Sequence, residues 1–358
     1  MNKLNEKVNN RILWIDSCKG FAIILVILGH IADGYLGAKT FHEYKDVLQV
    51  IYNCVYAFHM PLFFFLSGFL FCKAYCMNTK NIKTRFNKQC LNIVWIYLIF
   101  SAVQWCFKMF FADSVNYSFS VRDLELILIK PMNPYWYLYV LLFYYIIYHY
   151  CYQKLRTDIL VMASFIIGIA GQFIMGKLIS PLFELTFYEL TYYAVFFALG
   201  MYYADSVRVR ALIDKIFNKY IYLLILVLIS IITLVYNAYN GLASNYLIKF
   251  LTAFICMATT ILVFENIIML GRNKFFELCG RYSLEIYVIH CFITAGNRVI
   301  LPKLGITNFT LAFIINLIMA IFIPILISLV LKKLKLYKIV YKPASYLKIC
   351  KLENKGKE

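Results

Sequence analysis

The stretch IDSCKGFAIILVILGH, Ile15 to His30, places an acid, a base and a histidine inside an apolar run. An ionised side chain at the centre of a membrane helix costs about 3 kcal/mol on insertion scales, and such residues usually face a pathway or a reaction site. At 100° per residue, Lys19 and His30 lie about 20° apart around a helix, and Asp16 and His30 about 40°. All three therefore share one face. Along the axis Lys19 is ~16 Å from His30 and Asp16 is ~21 Å away, too far for either to hydrogen-bond the imidazole. The pattern is a polar lane along one helix, with the histidine at its far end. Asp16 and Lys19 are also spaced i, i+3, which suits a local ion pair.

The rest of the chain decides whether that helix lies in a membrane. Of 358 residues, 63% are hydrophobic and 15% charged, with 30 Tyr and 31 Phe; a soluble domain carries about a quarter charged residues. The mean hydropathy is +0.72. About 20 apolar residues cross a bilayer core, and roughly ten runs qualify: 13–32, 47–71, 90–111, 136–151, 159–175, 188–203, 220–236, 246–268, 283–299 and 309–331. The expected fold is all-α and polytopic, with about ten transmembrane helices. The first run is too long and too charged for a cleaved signal peptide.

The net charge of +18 fits cytoplasmic loops rich in Lys and Arg rather than a nucleic-acid partner. Segment 73–88 holds Lys73, Lys80, Lys83, Arg85 and Lys88 with no acid, and the chain beyond Lys332 is lysine-rich. Segments 33–46 and 108–130 balance acids with bases. This alternation predicts that both termini are cytoplasmic. Residues 1–335 are expected to form one membrane domain and 336–358 a lysine-rich cytoplasmic tail, disordered over its last ~20 residues. The eleven cysteines are dispersed without paired CxxC motifs, so neither a disulfide frame nor a metal centre is expected.

The second run reads FHMPLFFFLSGFLF, Phe58 to Phe71. His59 and Ser67 interrupt it, Pro61 breaks the backbone ladder, and Gly68 permits close helix approach. Serine in a membrane helix more often serves packing than catalysis. In KTRFNKQC, Arg85 and Lys88 share a helix face at the start of the third run. They suit either a topology anchor or a cytosolic phosphate site.

Together these stretches resemble the acyltransferase 3 family of integral membrane O-acyltransferases. RILWIDSCKGFAIILVILGH is similar to its first-helix signature, with the basic residue on Lys19 and the histidine on His30. FHMPLFFFLSGFLF resembles the second helix. PYWYLYVLLFYY resembles a Trp-aromatic-Leu segment on Trp136 and Leu138. GRYSLEIYVIH resembles a late segment on Ser283, Ile286, Tyr287 and His290. The wording lies closest to the fucose 4-O-acetylase-like branch.

The resemblance implies transfer of an acyl group, usually acetyl, from cytosolic acyl-CoA to a hydroxyl of a cell-surface or lipid-linked glycan, in a multi-pass protein of the bacterial inner membrane. No cofactor is expected to remain bound; acyl-CoA is a substrate. His30 matches the family's catalytic histidine, Lys19 its basic partner, and Arg85 and Lys88 an Arg-x-x-Arg donor site. Lysine at 88 keeps the charge but loses the bidentate fork. A neutral histidine is a natural base near neutral pH, and Asp33, at i+3, suits either orienting its ring or facing water. The CoA head is expected at Lys19, Arg85 and Lys88. Asp16, His59, Ser67, Trp136, Ser283 and His290 are further candidate site residues. The chemistry fits either direct transfer or a covalent acyl-histidine or acyl-serine. A transporter or flippase for a glycan or acyl substrate is the main rival, since it too needs many helices and buried charge.

Overall fold

The computed structural model describes residues 13–38, 40–76, 82–110, 125–174, 181–217, 220–242, 245–270 and 273–346. Lys80, most of the balanced segment 108–130, and the tail from 347 lie outside them. The described residues form helices α1 (Leu13–Ala38), α2 (Lys45–Tyr56), α3 (His59–Cys76), α4 (Ile82–Phe110), α5 (Trp136–Tyr152), α6 (Thr157–Ile174), α7 (Pro181–Tyr192), α8 (Ala194–Asp205), α9 (Val207–Phe217), α10 (Tyr220–Asn240), α11 (Tyr246–Leu270), α12 (Lys274–Arg281), α13 (Ser283–Lys303), α14 (Phe309–Lys333) and α15 (Tyr337–Tyr341), with short 3-10 turns and no strand. The protein is an all-α, multi-pass integral membrane protein.

Eight helical stretches among the described residues are long and apolar enough to cross a bilayer. Two of the expected runs fall short of that length for visible reasons. α5 has 17 residues, and the run at 188–203 is interrupted at Tyr193, between α7 and α8. Conversely, α2 and α3 together make one long candidate span, His42–Ala74. Its break falls at Ala57–Phe58 rather than at Pro61, which sits in the first turn of α3. Proline at position 61 supplies no N–H to the carbonyl four residues back and its ring crowds that carbonyl. The helix therefore opens one turn before the proline and restarts on it.

Packing divides the chain into two compact units, Met1–Leu66 with Arg208–Ile325, and Ser67–Val207 with Leu326–Glu358. In the first, α1 is the central element. Gly20 and Gly280 let α1 and α12 meet backbone to backbone: a Cβ on Gly20 would overlap the Phe276 carbonyl, and one on Gly280 the Asp16 carbonyl. At the other end of α1, buried amides tie it to α13 and α14. Asn297 Nδ2 donates to Asn316 Oδ1 at 3.1 Å, and Asn316 Nδ2 donates to the Thr294 carbonyl at 3.4 Å and to the Tyr35 hydroxyl at 3.5 Å. Leaving one such group unsatisfied costs about 1–3 kcal/mol, so this network fixes how α13 faces α1.

In the second unit Gly68 does allow close approach, since a Cβ there would overlap the Phe197 carbonyl on α8. The chain after α14 is not loose as far as Tyr346. Trp95 Nε1 donates to the Ile339 carbonyl at 3.0 Å, Asn92 Oδ1 accepts from the Ala344 amide at 3.1 Å, and Tyr341 is 1% exposed. The lysines of this segment had suggested a disordered tail, but the tyrosine and alanine between them supply an apolar foot that docks on α4.

Candidate active site

Three of the chain's five histidines converge in the first unit. His30 comes from the eighteenth position of α1, His59 from the first turn of α3, and His290 from the middle of α13. The His30 and His290 rings are 5.1 Å apart between centroids, and His59 lies close enough to act on His30 electrostatically.

Local backbone geometry sets the tautomers of two of them. His59 Nδ1 lies 2.7 Å from the Val55 carbonyl at the α2–α3 break. His290 Nδ1 lies 2.7 Å from the Tyr287 carbonyl and 3.1 Å from that of Ile286. A carbonyl only accepts, so each Nδ1 carries the hydrogen and each neutral ring leaves its Nε2 lone pair free to accept. His290 Nε2 stands 3.3 Å from Cys291 Sγ, in range for the thiol to donate. His59 is 4% and His290 0% exposed. His30 is partly exposed, and no described residue hydrogen-bonds either of its ring nitrogens. Of the three, it is the imidazole left available to a substrate.

Sequence reasoning missed the aromatic and cationic rim. Tyr56 meets His30 edge to face at 6.4 Å and His59 at 4.9 Å, and stacks on Tyr52 at 4.1 Å. Arg298 Nη1 donates to the Gly34 carbonyl at 2.8 Å and lies within electrostatic reach of Asp33. Asp33 is exposed, and among the described residues no hydrogen bond joins it to His30. The FHMP run marks Tyr56 only by adjacency, and nothing local singles out Arg298 or Cys291.

The other predicted residues take separate places. Asp16 and Lys19 form the local pair their spacing suits, at 3.3 Å. Ser283 opens α13, two turns before His290. In the second unit, Ser67 Oγ and the Tyr137 hydroxyl hydrogen-bond at 2.7 Å, and Trp136 packs on Tyr193 at 5.4 Å. Arg85, exposed, and Lys88, partly exposed, stand one turn apart in the first turns of α4. Although no metal centre was expected, one ligand atom from each of His30, His290 and Cys291 lies within 4.8 Å of the others. Two imidazoles and a thiolate suit zinc, and the His290 Nδ1–H to carbonyl bond is the outer contact that metal-bound histidines commonly make.

A multi-pass membrane protein with converging histidines on three helices is the class that this fold and site define. Residues 12–331 match the acyltransferase domain model of the acyltransferase 3 type, and the chain belongs to that family. It is also similar to two curated proteins called nodulation protein NolL. The one from Sinorhizobium fredii is 40% identical over 62 residues, covering 17% of this chain and 16% of the relative. The one from Mesorhizobium japonicum is 42% identical over 64 residues, covering the same shares. The chain thus matches only about a sixth of either relative's length. No solved structure matches.

Proposed function

We propose that the protein is a bacterial inner-membrane O-acyltransferase that moves an acyl group, in the first instance acetyl, from cytosolic acyl-CoA to a hydroxyl of a cell-surface or lipid-linked glycan. Both termini are cytoplasmic in this reading, the orientation that the Lys and Arg bias of the loops favours. Family membership supports acyl transfer; the glycan acceptor rests on the resemblance of the FHMP and WID-x-x-KG stretches to the fucose 4-O-acetylase-like branch. The observation that carries the reading is His30, whose nitrogens are unclaimed beside two imidazoles already committed to backbone carbonyls.

A thioester is already activated, so the protein needs to align it with the acceptor and exclude water. One nitrogen of neutral His30 takes the hydroxyl proton as the sugar oxygen attacks the thioester carbonyl. The C–O bond forms, the tetrahedral adduct collapses with cleavage of C–S, and the departing CoA sulfur recovers the proton from the imidazolium. Arg85 and Lys88 grip CoA phosphates, Arg85 through a two-bond fork; Lys19 adds positive charge on the cytosolic side of His30.

Reconstituted vesicles given acetyl-labelled acetyl-CoA test this directly. Label covalently held in glycan is the expected result. Movement of glycan or donor across the bilayer with no ester formed would replace the enzyme with a transporter.

A further inference from the structure

We propose that Asp33, Arg298, Tyr52 and Tyr56 form the acceptor subsite and hold one pyranose ring of the glycan against His30. This rests on the acyltransferase reading above and assigns the acceptor's place within it.

The first ground is unspent hydrogen-bonding capacity. Among the described residues no hydrogen bond or ion pair engages the Asp33 carboxylate, and none engages the hydroxyls of Tyr52 or Tyr56. Arg298 spends one N–H on the Gly34 carbonyl, and its other donors have no partner among the described residues. None of the four side chains is fully buried, so each can exchange water for the hydroxyls of a ligand. Here a carboxylate, a guanidinium and two phenols stand close enough to influence one another yet leave their bonding directions open.

The second ground is placement. Asp33 follows His30 by three residues, one turn and ~4.5 Å further along α1. Tyr56 and His30 lie edge to face, and Tyr56 in turn stacks on Tyr52. The Gly34 carbonyl pins Arg298 beside Asp33 in the last turns of α1, where a helix favours a cation.

The third ground is chemical fit. A pyranose presents an apolar C–H face and a rim of hydroxyls. The tyrosine rings offer an apolar surface with polar tips. A carboxylate accepts from two hydroxyls at once, and a guanidinium donates to ring or hydroxyl oxygens. A sugar held this way would have a hydroxyl at the rim nearest His30. If Asp33 instead only oriented the His30 ring, its removal would slow the reaction without weakening acceptor binding.

The test uses full-length protein in vesicles, acetyl-labelled acetyl-CoA, and glycan extracted from cells lacking the gene. Glycan is titrated at saturating donor, then donor at saturating glycan. Asp33→Asn and Arg298→Gln are each expected to raise the KM for glycan about ten- to a hundred-fold, the loss of a charge-assisted hydrogen bond, with the KM for acetyl-CoA unchanged. Tyr52→Phe is expected to weaken glycan binding less than Tyr52→Leu, which removes the ring. The unchanged donor KM reports an intact fold. A fall in kcat alone, a shift in the donor KM, or an unchanged glycan KM in both charge variants would overturn the subsite while leaving acyl transfer standing. Wild-type protein that puts no label in glycan would overturn the acyl-transfer reading and the subsite with it.

Discussion

Gly280→Ala tests whether the site depends on a backbone contact far from the chemistry. The added methyl would overlap the Asp16 carbonyl, and on the facing helix a Cβ at Gly20 would sit 3.0 Å from the Gly280 amide nitrogen as well as overlapping Phe276. Neither side has a flexible side chain to move, so α1 and α12 must separate by roughly 1–2 Å, and a gap of 0.5–1 Å already forfeits a quarter to a half of each dispersion contact. Overpacking of this kind costs about 1–3 kcal/mol, and contact through unyielding backbone puts this case at the upper end. The expected drop in melting temperature is about 5 °C. Because α1 also carries His30, an ångström of displacement is expected to reduce transfer about a hundred-fold. Cys18 and Cys279 are both 0% exposed, so a thiol-reactive dye reads melting in detergent as they become reachable. Gly296→Ala on α13 is the control: nothing lies within 4 Å of its added methyl, and replacing a helical glycine is expected to stabilise by about 0.5–1 kcal/mol. Gly280→Ala protein with wild-type melting and wild-type transfer would refute the reasoning.

Arg85→Ala is expected to weaken acyl-CoA affinity by roughly ten- to a hundred-fold and Lys88→Ala by less, because only Arg makes a forked phosphate contact; equal affinities in wild type and both variants, measured by donor titration, would leave the pair a topology anchor. Zn2+ is expected to inhibit transfer by taking up the lone pairs of His30 and His290, a chelator to restore it, and Cys291→Ser to need about ten-fold more Zn2+ or higher. Identical Zn2+ sensitivity in the variant would remove Cys291 from the ligand set. If neutral His30 is the base, protonation abolishes its function, so transfer is expected to fall about ten-fold per pH unit on the acid side; a rate with no acid limb anywhere the protein stays folded would contradict that role.

Hydropathy made most of the helices legible, because an apolar run of bilayer length has few other uses. It could not resolve the break at Tyr193, where the residues on both sides are equally apolar. Pro61 announced a break, but its effect falls four residues earlier, where the carbonyl it crowds is found. The i, i+3 spacing of Asp16 and Lys19 was enough to foresee their ion pair. The site was visible only in pieces. His30, His59 and His290 each stood out as a polar residue in an apolar stretch, but α1, α13 and α14 are joined by side-chain hydrogen bonds, one of them between residues 281 apart in sequence, that no local pattern announces. Tyr56 and Cys291 were camouflaged among thirty tyrosines and eleven cysteines, and Arg298 was camouflaged as an end-of-helix charge. Burial of Tyr341 reversed the reading of the early tail, because lysine composition outweighs one tyrosine in a composition argument and not in a packing one.

The central claim is that His30 performs acyl transfer. The most direct measurement is covalent label from acetyl-labelled acetyl-CoA in glycan, made with reconstituted wild-type protein and His30→Ala matched for amount and melting temperature. Removal of a general base is expected to lower the rate about 10²–10⁴-fold, while donor affinity is expected to stay the same, since the proposed mechanism sets His30 at the acyl end and not at the phosphates. A folded His30→Ala protein that labels glycan at close to the wild-type rate would contradict the account.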